Sequence, residues 1–148
     1  TVLILLYSGW RISELLNLKP EDIDLQAGTM KGGTKTKAGK DRVVPIHSKI
    51  RPLVEARLAE SGPRLISYNG RACSQTQYRI FWADIMKALG MNHTPHECRH
   101  TFETQLDSAG ANRKCIDLLM GHVSKDTGNR VYNHKTLDEL KSTVELIQ

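Results

Sequence analysis

The sequence predicts an α+β fold that is mainly α-helical and carries one small three-stranded antiparallel sheet. Over most of the chain, apolar residues recur at the spacing of three and four that is typical of helices. Residues 23–46 instead form short β-like pieces separated by glycines. Since the chain has 148 residues and no internal repeat, we expect one domain around one core.

The first segment, residues 2–18, predicts an apolar helix with a break. Ser8-Gly9 interrupts the apolar pattern, which resumes at Arg11, and Pro20 ends it because proline cannot continue a helix. The positions expected to face inward are Leu15, Leu16 and Leu18.

Residues 23–46 predict the sheet, whose last strand is expected at Arg42-Val43-Val44-Pro45-Ile46. The glycines that separate its pieces are Gly28, Gly32, Gly33 and Gly39. The lysines of this region are Lys31, Lys35, Lys37 and Lys40. Several lysines in a turn-rich hairpin are typical of a solvated edge or of nonspecific DNA contacts.

Four further helices are expected, each with its own start or stop signals. The first two have apolar positions at Ile50, Leu53, Val54 and Leu58, and at Tyr78, Phe81, Trp82, Ile85 and Leu89. Ser74 with Gln77 begins the second of these and Gly90 ends it. Thr94, Pro95 and Glu97 begin the third, because they supply an N-cap, a first-turn proline and a capping-box carboxylate. The remaining signals are Gly110 after the third helix, and Asn112 before and Gly121 after the fourth.

A last amphipathic segment predicts a helix near the end of the chain. Its apolar positions are Leu137, Leu140, Val144 and Ile147. Such a helix suits docking either on a neighbouring protomer or on its own domain.

Composition favours a polyanionic partner and a reducing, cytoplasmic setting. The formal charge is +5 and the pI is about 9.2. Cys73, Cys98 and Cys115 lack the paired spacing of a zinc site or the even count of a disulfide framework. No stretch approaches the roughly 20 apolar residues that a membrane span needs, so we expect no membrane partner.

The helix that begins at Thr94 carries His96 and Arg99 in its first turns, three residues apart. Its N-terminal amides add partial positive charge, so a phosphate would suit this position. Cys98, Phe102 and Leu106 form a separate apolar stripe, which leaves one face for a ligand. A single His-x-x-Arg pair is more often a solvated helix face, so the interpretation depends on further motifs.

Four further motifs accompany this pair in the chain. They are Ser8-Gly9-Trp10-Arg11-Ile12-Ser13-Glu14, Thr34-Lys35-Thr36, Leu119-Met120-Gly121-His122 and Val131-Tyr132-Asn133-His134. Together with His-x-x-Arg, and in this order, they resemble the tyrosine recombinases of the phage-integrase family over nearly the whole chain. The sequence departs from the family pattern at Glu97-Cys98, where Asp-Leu is usual, and at Trp10, which is large for its position.

The resemblance implies the tyrosine recombinase catalytic-domain fold for residues 1–148 and site-specific DNA recombination without metal or other cofactor. Tyr132 would attack phosphorus to give a 3′-phosphotyrosine. Arg11 and Arg99 would clamp the nonbridging oxygens, since a guanidinium donates bidentately and stays charged. Lys35 would protonate the departing 5′-oxygen.

Two histidines complete the implied site. His96 would act as general base or as a hydrogen-bond donor to the phosphate, and His122 would close the cage around the transition state.

The resemblance also implies partners and context. We expect binding to double-stranded DNA, self-association into a tetramer on DNA, and a nucleoid-associated location in the cytoplasm. A phage or another mobile element is the expected setting. Family members usually have an N-terminal DNA-clamping domain, which we expect upstream of Thr1.

Two other activities match parts of the sequence. A type IB topoisomerase uses similar chemistry, but the sequence motifs around Lys35, Arg99 and His122 favour recombination. His96-Glu97-Cys98-Arg99-His100 matches the His-Glu-x-x-His motif of zinc metallopeptidases. Against zinc, Glu97 is already the capping partner of Thr94, the histidines lie at a helix start that disfavours cations, and no third ligand is evident.

Loss of function and nucleotide binding are also disfavoured. Residues 33–40 resemble a phosphate loop, but the spacing is one residue too long and Asp41 stands where Ser or Thr is required, so no nucleotide partner is expected. A binding module that had lost catalysis would show gaps among the six matched residues, and none is missing.

Overall fold

A computed structural model describes residues 1–33, 39–122 and 135–148 of the chain. The helices are α1 (Val2–Leu6), α2 (Ile12–Leu15), α3 (Arg51–Ala59), α4 (Gln75–Leu89), α5 (Pro95–Ser108), α6 (Arg113–Met120) and α7 (Leu137–Val144). The strands are β1 (Ile23–Asp24), β2 (Thr29–Gly32), β3 (Arg42–Pro45), β4 (Ser67–Tyr68) and β5 (Arg71–Ala72). Short 3₁₀ turns occupy Pro20–Asp22 and Ser48–Ile50. The predicted fold class, mainly helical with one small three-stranded sheet, is confirmed.

The three-stranded sheet is antiparallel with the order β1-β2-β3. Met30 pairs with both Ile23 and Val44, so it stands at the centre of the sheet, and it is fully buried. The sequence analysis did not predict the second hairpin, β4-β5. Asn69-Gly70, with φ of 49° and 70°, makes its turn, and this dipeptide is a strong hairpin signal.

The predicted boundaries of α4 and the predicted start of α6 are confirmed, whereas α2 ends at Leu15, before the predicted stop at Pro20, which instead begins a 3₁₀ turn. The Ser74 hydroxyl accepts the Gln77 N–H at 3.2 Å, and Gly90 ends α4 in the left-handed conformation. The Asn112 side chain accepts the Lys114 N–H at 3.0 Å at the start of α6.

The core joins α1 and α5, with α6 and α7 packed beside them. Phe102 of α5 is fully buried, and a Cβ on Gly9 would lie 2.4 Å from its ring. Glycine at position 9 therefore lets the chain after α1 pass directly over α5. No helix within the described ranges is both long enough and apolar enough to cross a membrane.

Candidate active site

Arg11 stands at the N-cap position of α2, and a buried carboxylate holds it there. Glu14 accepts the Arg11 backbone N–H through Oε2 and Arg11 Nη1 through Oε1, both at 3.1 Å. Glu14 is 2% exposed, whereas the Arg11 side chain is 17% exposed. Arg11 thus has a fixed position and a guanidinium that still reaches solvent.

Glu14 has a second cationic partner, Arg42 of β3. Arg42 Nη2 donates to Oε2 at 2.8 Å and Nη1 donates to Oε1 at 3.1 Å, so the pair is bidentate. Burial by itself raises the pKa of Glu14, but the hydrogen bonds and charges of Arg42 and Arg11 together lower it below its usual value. Glu14 is therefore an anion shared by two arginines.

Arg42 also contacts two other parts of the domain. Its Nε donates to the Leu119 carbonyl at 3.1 Å, and its guanidinium lies 4.0 Å from the ring centroid of Trp10. Trp10 is fully buried, and its large ring is the apolar surface on which this guanidinium packs.

Arg99 lies almost fully buried in α5, at 2% exposure. Its Nη1 donates to the Gly9 carbonyl, and its Nη2 donates to the Met120 carbonyl and lies 3.4 Å from His122 Nε2. Burial, followed by the charges of Arg11 and Arg42, lowers the pKa of Arg99 to about 10. Arg99 therefore remains charged at neutral pH.

The sequence predicts Arg99 beside His96, on a face separate from the apolar stripe. The structure differs, because Arg99 is buried together with Cys98 and Phe102 while His96 is exposed. The carbonyls of Gly9 and Met120 explain the difference, since they satisfy the guanidinium inside the domain.

His122 follows Gly121, which ends α6 in the left-handed conformation with φ of +63°. The His122 backbone N–H donates to the Asp117 carbonyl at 2.9 Å. Because a guanidinium only donates, Nε2 must accept from Arg99, which places the ring proton on Nδ1. Burial and then the charge of Arg99 lower the pKa of His122, so the neutral ring is favoured.

Three glycines from two distant parts of the chain, Gly33 and Gly39 in one and Gly121 in the other, meet beside His122. A Cβ on Gly33, whose φ is +100°, would lie 1.9 Å from the Gly39 carbonyl oxygen. A Cβ on Gly121 would lie 2.7 Å from Gly39 Cα. The two residues that flank segment 34–38 therefore approach each other, and one of them contacts the turn before His122.

Lys35 and Tyr132, the predicted general acid and nucleophile, lie outside the described residues. Among the described tyrosines, Tyr78 is buried, and burial raises its pKa. A phenol in that environment loses its proton less readily, which makes it a poor nucleophile.

His96 is exposed in the first turn of α5, where its ring stands edge-on to His100 with centroids 4.7 Å apart. It lines one side of a groove of about 390 Å³. The other residues that line the groove are Ile12, Gln75, Tyr78, Arg79, Trp82, His93, Thr94 and Pro95. The structure thus places His96 at an accessible edge and Arg99 in the interior.

Glu97 is engaged as a helix cap, as the sequence predicted. Its Oε2 accepts the Thr94 N–H, and His93 Nδ1 lies 3.2 Å from its Oε1. These contacts, with Thr94 first, lower the pKa of Glu97 to about 2. Across the described ranges, no three His, Cys, Asp or Glu side chains gather as a metal site. The zinc interpretation is not favoured.

Sequence reasoning missed the role of Glu14 and Arg42. The motif around Arg11 contains Glu14 but assigns it no contact, and the sequence pattern predicts Arg42 only as a strand residue. An arginine directly before the apolar run Val43-Val44-Pro45-Ile46 is a weak signal of a buried charge, but nothing local identifies its partner, 28 residues away.

Comparisons with known proteins agree with this fold. The model of the phage integrase family matches residues 1–139. The chain is 35% identical to tyrosine recombinase XerA of Thermococcus kodakarensis, covering 97% of this chain and 53% of that protein. It is 34% identical to tyrosine recombinase XerC of Staphylococcus carnosus, covering 95% and 50%. The chain thus spans about half the length of these relatives.

Solved structures show the same fold at lower identity. The Tn1549 transposon integrase in complex with circular intermediate DNA matches with a TM-score of 0.71 and 24% identity, over 95% of this chain and 55% of that one. The crystal structure of XerA recombinase matches with a TM-score of 0.68 and 23% identity, over 99% and 52%. With the family model matching residues 1–139, the chain belongs to the phage integrase family.

Proposed function

We propose that this chain is the catalytic part of a tyrosine recombinase, which breaks and rejoins double-stranded DNA at specific sites through a 3′-phosphotyrosine. The observation that supports this most is the convergence of Arg11, Arg99 and His122 from three separate elements. Two guanidinium groups that repel each other, one of them buried, are stabilised when an anion binds between them.

In the proposed reaction, the arginines balance the charge on the nonbridging oxygens of the scissile phosphate. Arg11 reaches it from the exposed side, and Arg99 reaches it from the floor of the site, where two carbonyls fix its orientation. The neutral His122 ring has its Nδ1–H free of the Arg99 contact, so it can donate to a phosphate oxygen. Donors placed in advance stabilise the charge that develops in the transition state.

The covalent step needs no external energy source. The Tyr132 oxygen attacks phosphorus, the bond from phosphorus to the 5′-oxygen breaks, and a 3′-phosphotyrosine forms. The phenol proton passes to His96 acting as base, and Lys35 donates a proton to the departing 5′-oxygen. A different 5′-hydroxyl then reverses the step and joins a new strand.

The relatives support the proposed partner and context. The Tn1549 integrase was solved with DNA, and XerA and XerC are named as tyrosine recombinases. We propose for this chain a role on DNA in the cytoplasm, associated with the nucleoid, and assembly into a tetramer on its target. Residues 1–148 would form the catalytic domain, with a DNA-clamping domain preceding it.

A covalent-trapping assay tests the proposal. The full-length protein is incubated in EDTA with a nicked suicide duplex, from which the short fragment with the released 5′-hydroxyl diffuses away after cleavage, and the products are separated on a denaturing gel. We expect a covalent DNA adduct from the wild type and none from Tyr132→Phe. An adduct that survives Tyr132→Phe, or one that requires metal, would contradict the assignment.

A second substrate separates recombination from topoisomerase activity. A supercoiled plasmid with two copies of a target site yields recombinant circles under the proposal. Relaxation of plasmids that lack the site, without recombinant products, would favour a type IB topoisomerase instead.

A further inference from the structure

The buried ion pair between Arg42 and Glu14 lies directly behind Arg11. The Arg42 and Glu14 side chains are 4% and 1% exposed, and Glu14 is the same carboxylate that holds Arg11. Each carboxylate oxygen accepts from both arginines, because Oε1 binds Nη1 of Arg11 and of Arg42, while Oε2 binds the Arg11 backbone N–H and Arg42 Nη2. The three groups together carry one net positive charge.

We propose that Arg42 is a positioning residue that takes up the charge of Glu14 and thereby leaves the Arg11 guanidinium available to a phosphate. This inference rests on the proposed function of Arg11. Without Arg42, Arg11 would be the one cation of the three groups left to pair with the buried carboxylate of Glu14. The pair would then be neutral, and its attraction for a phosphate would fall.

Arg42 also fixes the relative positions of the elements that carry the site. It connects β3 to α2 through Glu14 and to the end of α6 through the Leu119 carbonyl, two residues before Gly121. A Cβ on Gly121 would lie 3.3 Å from Arg42 Cδ, so the turn that presents His122 packs directly on this side chain. The same residue therefore sets the charge at Arg11 and the position of the turn that carries His122.

Two scissile groups distinguish a charge effect from a general structural one. One suicide duplex carries the natural phosphodiester, and the other carries a methylphosphonate, in which an uncharged methyl group replaces a nonbridging oxygen. For wild type and for Arg42→Met, we measure the rate of adduct formation on each duplex. The ratio that we compare is the rate on the phosphodiester divided by the rate on the methylphosphonate. We expect this ratio to fall at least about tenfold, a coupling typical of neighbouring charged groups. A defect that only loosens the fold would slow both reactions equally and leave the ratio unchanged.

The double variant Glu14→Gln/Arg42→Met restores the net charge, because it leaves Arg11 as the single charged member. We expect its ratio to return to within about threefold of wild type, because the negative charge of Glu14 and the positive charge of Arg42 have both been removed. Arg51→Met is the matched control, because Arg51 also binds a glutamate and a backbone carbonyl, Glu55 and Leu25 at 2.9 Å each, but on the exposed surface. Its ratio should equal that of wild type.

The outcomes separate this inference from the proposed function. An unchanged ratio in Arg42→Met, or a double variant that stays as low as the single one, would overturn the role of Arg42. If wild type forms no Tyr132 adduct on the natural duplex, the proposed function fails first. Should Arg42→Met lack a cooperative thermal transition, Arg42→Gln replaces it. The glutamine amide can still donate a hydrogen bond to Glu14 but carries no charge, so the ratio must still fall, and an unchanged ratio again overturns the inference.

Discussion

Arg99 is a charged side chain that the interior of the domain accepts because backbone carbonyls satisfy it. Two carbonyls and one histidine nitrogen surround the guanidinium, and its remaining N–H donors are what a phosphate could use. A planar fork with five donors can serve both purposes at once, which a single ammonium cannot. Fold stability and the proposed phosphate binding therefore depend on different donors of the same guanidinium.

Arg99→Lys is expected to impair both properties. Loss of the fork leaves buried carbonyls without a donor, which should cost about 1–3 kcal/mol of unfolding free energy. The rate of covalent adduct formation should fall by about 10²- to 10³-fold, as when a preorganised transition-state donor is removed. Urea denaturation and single-turnover kinetics measure the two effects.

Arg113→Lys is the control for that substitution, because Arg113 is exposed and pairs with Glu103 at 2.8 Å, a contact that lysine can also make. Its stability and rate should stay near those of wild type. Wild-type kinetics in Arg99→Lys would show that Arg99 is only a structural residue.

His122 predicts a pH dependence of stability. Its folded-state pKa lies below the ordinary value of 6.5, so just below pH 6.5 the unfolded chain binds more protons than the folded one. Stability should therefore fall as the pH decreases through this range, and His122→Asn should lose this part of the slope. Urea midpoints from pH 7.5 to 5 for both proteins measure it, and identical slopes would show that the His122 pKa is not depressed.

At the scale of elements, the two glycine caps of α4 and α6 make a natural comparison. Gly90 and Gly121 both end a helix with φ of +63°, but a Cβ on Gly90 would meet nothing within 4 Å. On Gly121 it would lie 2.7 Å from Gly39 Cα. Gly90 is therefore needed for its backbone conformation, whereas Gly121 is needed both for its backbone conformation and for the close approach of Gly39.

Gly90→Ala should cost about 1–2 kcal/mol, the penalty of the left-handed conformation. Gly121→Ala should cost at least about 1 kcal/mol more, because the added methyl group must push two backbone segments apart. It should also slow adduct formation, whereas Gly90→Ala should not. Equal costs for the two variants would mean that the contact between Gly121 and Gly39 is not tight in solution.

How far the sequence predicted these elements depends on the sequence distance between the interacting groups. The start of α5 was predicted correctly because Thr94, Pro95 and Glu97 lie within one turn. The burial of Arg99 was not predicted, because its carbonyl partners lie 90 and 21 residues away. For the same reason the motif order predicts Arg11 as a site residue but not the link from Glu14 to Arg42, which forms only when β3 packs against α2.

At the scale of the whole molecule, α7 packs on its own domain, one of the two arrangements that the sequence allowed. Leu140, Val144 and Ile147 are buried, and the His47 ring lies 2.9 Å from the Ile147 carbonyl through Nε2. Glu145 accepts both the N–H and the hydroxyl of Ser48 at 2.7 Å. Hydrogen bonds thus hold the segment after α7 against the turn that follows β3.

Leu140→Ala should therefore destabilise the domain as a unit, by about 2–5 kcal/mol. Leu137→Ala, on the same helix but 36% exposed, should cost about 0.5 kcal/mol or less. Thermal melts of wild type at increasing protein concentration complete the experiment. A midpoint that rises with concentration would indicate that α7 docks on a second copy in solution.

The two carbonyls that hold Arg99 also bear on when the protein becomes competent during synthesis. A chain leaves the ribosome from its N-terminus, so Gly9 emerges well before Arg99, and Met120 emerges after it. Until α6 is outside the exit tunnel, a growing chain contains both Arg11 and Arg99 but lacks one of the two carbonyls that orient Arg99. The proposed phosphate site is therefore expected to assemble only after most of the domain has been made.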